Sequence, residues 1–143
     1  MKSILFSLLL LSLLSANAQE ITAWKIILDK KTIFSARQES EQHNIDSLRR
    51  SDLVPNKSFI VAYRGTDNPD NNKLKRVIGI YTEEDKELLR KDVSILKLNS
   101  NRLKKWLLEN RKIKIYTWSL PKDPKEAARV RVRRVHLCTI VLK

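Results

Sequence analysis

Six residues with chemical reach stand within ten positions near the C-terminus: Arg129, Arg131, Arg133, Arg134, His136 and Cys138. Arginine carries a planar fork of donors that matches phosphate, sulfate or carboxylate oxygens. Arg129, Arg131 and Arg133 alternate with Ala128, Val130 and Val132. In a strand this period places the three guanidinium groups on one face, about 7 Å apart, with the small apolar residues toward a core. Arg134 falls where the next core residue belongs. A β-bulge at Arg133-Arg134 would restore the pattern, because one extra residue exchanges the two faces. The chemistry expected here is anion binding by Arg129, Arg131, Arg133 and Arg134. The competing expectation is a solvated face, or one paired with acids on neighbouring strands. Arg134, drawn inward by the break, needs an acid beside it, and Asp123 or Glu126 could supply one.

The other reactive types give less. Cys138 lies in an apolar run and has no second cysteine to pair with, so it reads as a small buried hydrophobe. A reactive thiol needs a base and a positive setting. His136, two residues away, would share its face of a strand. His43 and His136 could serve as acid and base in a small secreted phosphodiesterase or nuclease. The chain holds no Gly-x-Ser-x-Gly elbow, His-Glu-x-x-His or Cys-x-x-Cys motif. Glu39, Glu41 and His43 are metal-capable types at i, i+2 and i+4, but a site needs three or four ligands in fixed geometry, and the stretch reads as a solvated loop. The expectation is a protein without catalytic residues, metal or cofactor.

Charge narrows the partner. The chain has 29 Lys and Arg against 16 Asp and Glu, a formal net charge of +13. The excess is lopsided. Gln19 to Asp92 carries 14 basic and 13 acidic residues, whereas Val93 to Lys143 carries 14 basic residues against Glu109, Asp123 and Glu126 alone. An asymmetry of this size points to an anionic partner or environment. With Tyr116 and Trp118, the arginines could also form a stacking surface for a polyanion or nucleic acid, although no nucleic-acid motif accompanies them.

The elements that must position these residues can be read in order. Met1-Lys2, the Leu-dominated run Ser3 to Leu14, and Ala16-Asn17-Ala18 form the three parts of a secretory signal peptide. Cleavage is expected after Ala18, leaving residues 19–143 as one domain in the periplasm or outside the cell, with no transmembrane segment. Strands are expected at Thr22–Leu28 and Thr32–Ala36 (a hairpin), at Ser58–Arg64 and Leu74–Tyr81 (a second hairpin), and at Val93–Leu98, Arg111–Ser119 and the closing run from Ala128. Arg37 to Asp52 reads as loop, with one helical turn or a short edge strand around Ile45 to Leu48. Gly79 inside a strand signals a bulge or a close approach. Thr82 to Arg90 reads as a short helix with acids in its first turn. Ser100 is expected to cap a second helix, Arg102 to Asn110, in which Leu103, Trp106 and Leu107 share a face. Trp106 is read as a plug at one end of the core, in preference to a basic amphipathic surface helix. The sum is a single β-sandwich of about seven antiparallel strands with one or two short helices in its connections.

The closing segment from Ile115 through Trp118, the Leu120-Pro121-Lys122-Asp123-Pro124 turn and the arginine run to Cys138 resembles the C-terminal signature of small secreted β-rich proteins of uncharacterised function from Bacteroidota-type bacteria. The resemblance implies a compact exported β-rich domain. It carries no activity, so it transfers no catalytic residue. Together these readings point to an exported, non-enzymatic binding or structural domain with a basic C-terminal face for an anionic envelope component or acidic protein. The alternatives are a polyanion or nucleic-acid binder and, behind it, a small hydrolase.

Overall fold

A computed structural model of the chain describes residues 23–64 and 73–143. The expected signal peptide and the expected turn at 65–72 lie outside the described residues. Two sheets form a β-sandwich. One has the order β2-β1-β4-β7 and is antiparallel throughout. Its strands are β1 (Trp24–Leu28), β2 (Lys31–Ala36), β4 (Ser58–Tyr63) and β7 (Ile95–Asn99). The other has the order β3-β9-β8-β5-β6. Its strands are β3 (Ile45–Leu48), β5 (Leu74–Thr82), β6 (Glu87–Lys91), β8 (Lys112–Pro121) and β9 (Val135–Leu142). Two α-helices, α1 (Ser100–Asn110) and α2 (Pro124–Ala127), and a 3-10 turn at Arg50–Asp52 complete the described chain.

The alternation read from sequence explains the core. Trp24, Ile26 and Leu28 face inward from β1, Phe59 and Val61 from β4, and Ile78 and Ile80 from β5. Ile113 and Ile115 point into the same core from β8, while Tyr116, Trp118 and Leu120 build a separate cluster with Val77 and Tyr81. The β1–β2 hairpin forms as expected. Asp29 and Lys30 both have positive φ, 49° and 66°, the backbone of a two-residue turn whose twist suits the flanking strands. Helix α1 also forms. Leu103, Trp106 and Leu107 are buried, and Trp106 belongs to the core. Its cap is Asn99, whose side chain accepts from Asn101 N–H, not Ser100. Ser100 instead pins the loop before β4: its hydroxyl donates to Val54 O and accepts from Lys57 N–H.

Four further expectations are corrected. The described residues form nine strands where about seven were expected, and β3 pairs with β9 in parallel rather than antiparallel, because the chain crosses to the second sheet between β2 and β3. Thr82 to Arg90 is not a helix. Its acids make a turn in which Thr82 N–H donates to Lys86 O and Asp85 takes a φ of 67°, and β6 then pairs back onto β5. Leu88 and Leu89 are the only apolar residues there and cannot make an i, i+3 stripe, whereas one strand edge of β5 was open to them. Nor do β4 and β5 form a hairpin. Each carries a full inward set, so they face one another across the core from different sheets. Finally, the closing strand begins at Val135 rather than Ala128.

That last difference reshapes the arginine run. Asp123 caps α2, accepting from Lys125 N–H at 2.9 Å, and Pro124 opens the helix, the position where a missing N–H costs nothing. The turn that closes the helix, with Ala128 N–H donating to Pro124 O and Arg129 N–H to Glu126 O, takes up residues that a period of two had assigned to a strand. Val130 and Val132 are then 45% and 36% exposed, not core residues. The Arg-Val alternation is the same in an extended coil as in a strand, so the pattern alone could not tell them apart.

Candidate functional site

The outer face of the five-stranded sheet gathers most of the residues singled out in the sequence. Tyr81 on β5 and Tyr116 on β8 meet edge to face, with ring centroids 5.7 Å apart. His136 on β9 makes a second edge-on contact with Tyr116 at 5.5 Å. Arg134 lies across this group, its guanidinium carbon 4.7 Å from the Tyr81 ring centre and 4.8 Å from that of Tyr116. A guanidinium over an aromatic face is held by the ring's quadrupole. Arg90 approaches Trp118 in the same way at 5.4 Å. Burial pushes the hydroxyl pKa of both tyrosines upward.

Arg134 finds its acid, but not the expected one. Its Nη2 donates to both carboxylate oxygens of Asp85, at 2.8 and 2.9 Å. Asp123 is committed to the α2 cap. Asp85 comes from the β5–β6 turn, 49 positions away in sequence, and no local spacing could have announced it. Its hydrogen bond raises the guanidinium pKa further. Arg133 pairs with Glu39, whose other carboxylate oxygen accepts His136 N–H at 2.8 Å. Glu39 therefore clamps the loop after β2 onto the start of β9. Of the four candidate arginines, Arg133 and Arg134 are tied to acids. Arg129 and Arg131 are exposed, and no acid pairs with either among the described residues.

The expected bulge at Arg133-Arg134 is absent. The register instead shifts further along, with Ile115 opposite Cys138 and Tyr116 opposite His136. Leu137 is the extra residue, and it joins Cys138 in the inner core. Trp24 Nε1 donates to the Leu137 carbonyl at 3.0 Å, a bond from one sheet to the other. His136, in contact with Tyr116, is left on the outer side. His136 and Cys138 therefore lie on opposite faces of the sheet, which corrects the parity argument that paired them.

Cys138 is fully buried, and burial pushes its thiol up to about 12. Such a thiol is inert at neutral pH because the thiolate is the nucleophile. Iodoacetamide is expected to leave the native protein unlabelled at pH 8 and to modify it fully in denaturant. Rapid labelling of the folded form would contradict the assigned burial.

His136 is also fully buried. Its Nε2 shares a hydrogen bond of 2.8 Å with Thr139 Oγ1, and its Nδ1 has no partner. Burial lowers its pKa from the usual 6.5 against the opposing pull of Glu41 and Glu39, while Lys114 adds to the lowering. The unfolded chain therefore binds a proton that the folded chain resists. Stability from this residue is complete above the unfolded value of 6.5 and is lost as pH falls below it toward the folded value. The expected result is a drop in thermal midpoint between pH 7 and pH 5 that His136→Asn flattens. An identical pH profile for both proteins would contradict it.

The remaining candidates do not converge. His43 is exposed, with its Nδ1 bonded to Ser40 Oγ at 2.8 Å. No hydrogen bond joins it to His136. Tyr116 and Trp118 are only 8% and 5% exposed, so neither offers the open ring face that a stacking platform needs. Beside them, however, runs a groove of about 370 Å³ bordered by Trp118, Val130 and Val132, with Arg76, Arg131 and Arg133 along it. The sequence could not reveal it, because it exists only where β9 parts from β8. Among the described residues, no helix is long and apolar enough to cross a membrane. No family model, curated protein or solved structure matches the chain.

Proposed function

We propose that the protein is an exported, non-enzymatic binding domain whose basic C-terminal face docks on an anionic partner in the cell envelope. One observation carries this reading: Arg129 and Arg131 stand exposed without acids, on a segment that also exposes Val130 and Val132. Surface arginines left unpaired in a chain with this charge excess create a positive potential that attracts and orients anions. Arg133 and Arg134 hold that segment in place through Glu39 and Asp85 and so act as supports for the pair that binds. Export rests on the three-part N-terminal pattern and on the resemblance of the closing segment to secreted proteins.

Retention on heparin at low ionic strength tests the binding face. The double variant Arg129→Glu, Arg131→Glu is expected to elute at markedly lower salt than the parent, because each neutralised contact contributes to the salt dependence of binding. Both sites are exposed and unpaired, so folding is preserved, which circular dichroism verifies. Equal elution of the two proteins removes the proposal. N-terminal sequencing of protein recovered outside the cytoplasm tests export, with Gln19 expected as the first residue.

A further inference from the structure

Resting on that reading, we propose that the partner enters as an extended acidic peptide, added as a strand in the flared end of the β8–β9 pair. Pairing of β8 with β5 continues to Leu74 opposite Pro121, but pairing with β9 stops at Thr117 opposite Val135. Among the described residues, Trp118 to Pro121 thus have a strand on one edge only. Lys122 N–H donates to Lys73 O on the β5 side at 2.8 Å. Backbone groups of successive strand residues point to alternate edges, so Ser119 and Pro121 present theirs to the open side. Pro121 has no N–H to leave unpaired, which suits a free edge. The opposite wall is equally available: among the described residues, Val130 to Arg134 make no backbone–backbone hydrogen bond.

The groove between these walls has two further features that select its occupant. Its apolar lining includes Trp118, Val130 and Val132, and the arginine it offers without an acid among the described residues is Arg131, Arg133 being held by Glu39. An apolar wall that carries an exposed, unpaired arginine complements a strand in which apolar and acidic residues alternate. Unpaired backbone groups along both walls favour a peptide over a bare polyanion, since only a peptide returns both donors and acceptors. Four β8 residues span about 13 Å at the usual strand rise, so the segment recognised is short.

The test uses the protein isolated from expressing cells, labelled with ¹⁵N, and a blocked Val-Glu-Val-Glu-Val peptide. A second peptide of the same sequence carries N-methyl groups on its amides. The first peptide is expected to shift the Ser119 amide resonance and slow its hydrogen exchange. The methylated peptide should bind at least about tenfold more weakly, having lost its donors. Arg131→Glu should weaken the first peptide while leaving the fold intact. Equal binding of the two peptides, or a Ser119 amide that does not respond, overturns strand addition. In that event, retention on heparin that depends on Arg129 and Arg131 would leave the broader anionic reading standing, whereas its loss would remove both. Self-association through the same groove, seen as concentration-dependent sedimentation with Ser119 protected before any peptide is added, also overturns the proposal.

Discussion

Trp24→Ala is expected to destabilise the domain by about 3–5 kcal/mol, the range for emptying a buried tryptophan site. Trp24 is 3% exposed in the central core and stacks beside Tyr63, with ring centroids 6.3 Å apart. It does more than fill space. Its indole N–H donates across the sandwich to the carbonyl of Leu137, the extra residue of the β9 bulge. Truncation therefore opens a cavity and leaves a buried carbonyl unpaired. A loss of this size is a large part of the stability of an ordinary domain. Urea unfolding followed by far-UV circular dichroism measures it. Trp24→Phe separates the two contributions: it keeps most of the volume and should cost about 1–3 kcal/mol for the orphaned carbonyl. If the phenylalanine variant matches the parent, the bond to Leu137 contributes nothing and the bulge is held by other means.

Gly79→Ala is expected to destabilise by about 1–3 kcal/mol through overpacking. The sign is informative, because alanine ordinarily stabilises a strand relative to glycine. A Cβ built on Gly79 would lie 2.6 Å from Tyr81 Cε2 and 2.9 Å from Trp118 Cη2. Both are atoms of packed rings. Tyr81 is held by Tyr116 and Arg134, and Trp118 has Arg90 over its face, so neither can swing aside freely. The double variant Gly79→Ala, Tyr81→Leu should recover part of the loss relative to the sum of the single variants, since contacting residues couple. Strict additivity of the two would show that the Tyr81 ring is not what the new methyl meets.

These two residues show what kind of information the chain carries openly. Trp24, Ile26 and Leu28 alternate with more polar neighbours, and that period alone assigns them to an inner face. Leu103, Trp106 and Leu107 do the same for α1. A glycine in the middle of an apolar strand signalled a bulge or a close approach at Gly79, and the rings of Tyr81 and Trp118 are what approach it. Such inferences succeed because burial acts on each residue locally, through its own side of a strand or helix. The β-sandwich class, the β1–β2 hairpin and the α1 face all follow from it. So does the reading of Cys138 as a buried group, while the charge asymmetry is counted directly from the residues.

Pairing between distant segments is a different matter, and there only the tertiary structure decided. Whether Thr82 to Arg90 became helix or strand depended on an open edge of β5. Whether β4 and β5 lay side by side or face to face depended on the other strands competing for their edges. Arg134 was legible as a residue in need of an acid, but Asp85 was chosen by the turn that folds over it. The same holds for Arg133 and Glu39. The sequence by itself determined that four arginines would be concentrated within six positions near the C-terminus, though not that they would precede the last strand. Tertiary structure divided them into Arg133 and Arg134, which anchor the segment, and Arg129 and Arg131, which remain exposed. Side-chain period records which way a residue faces. It holds no record of what arrives opposite, because that is fixed by competition among all the strands at once.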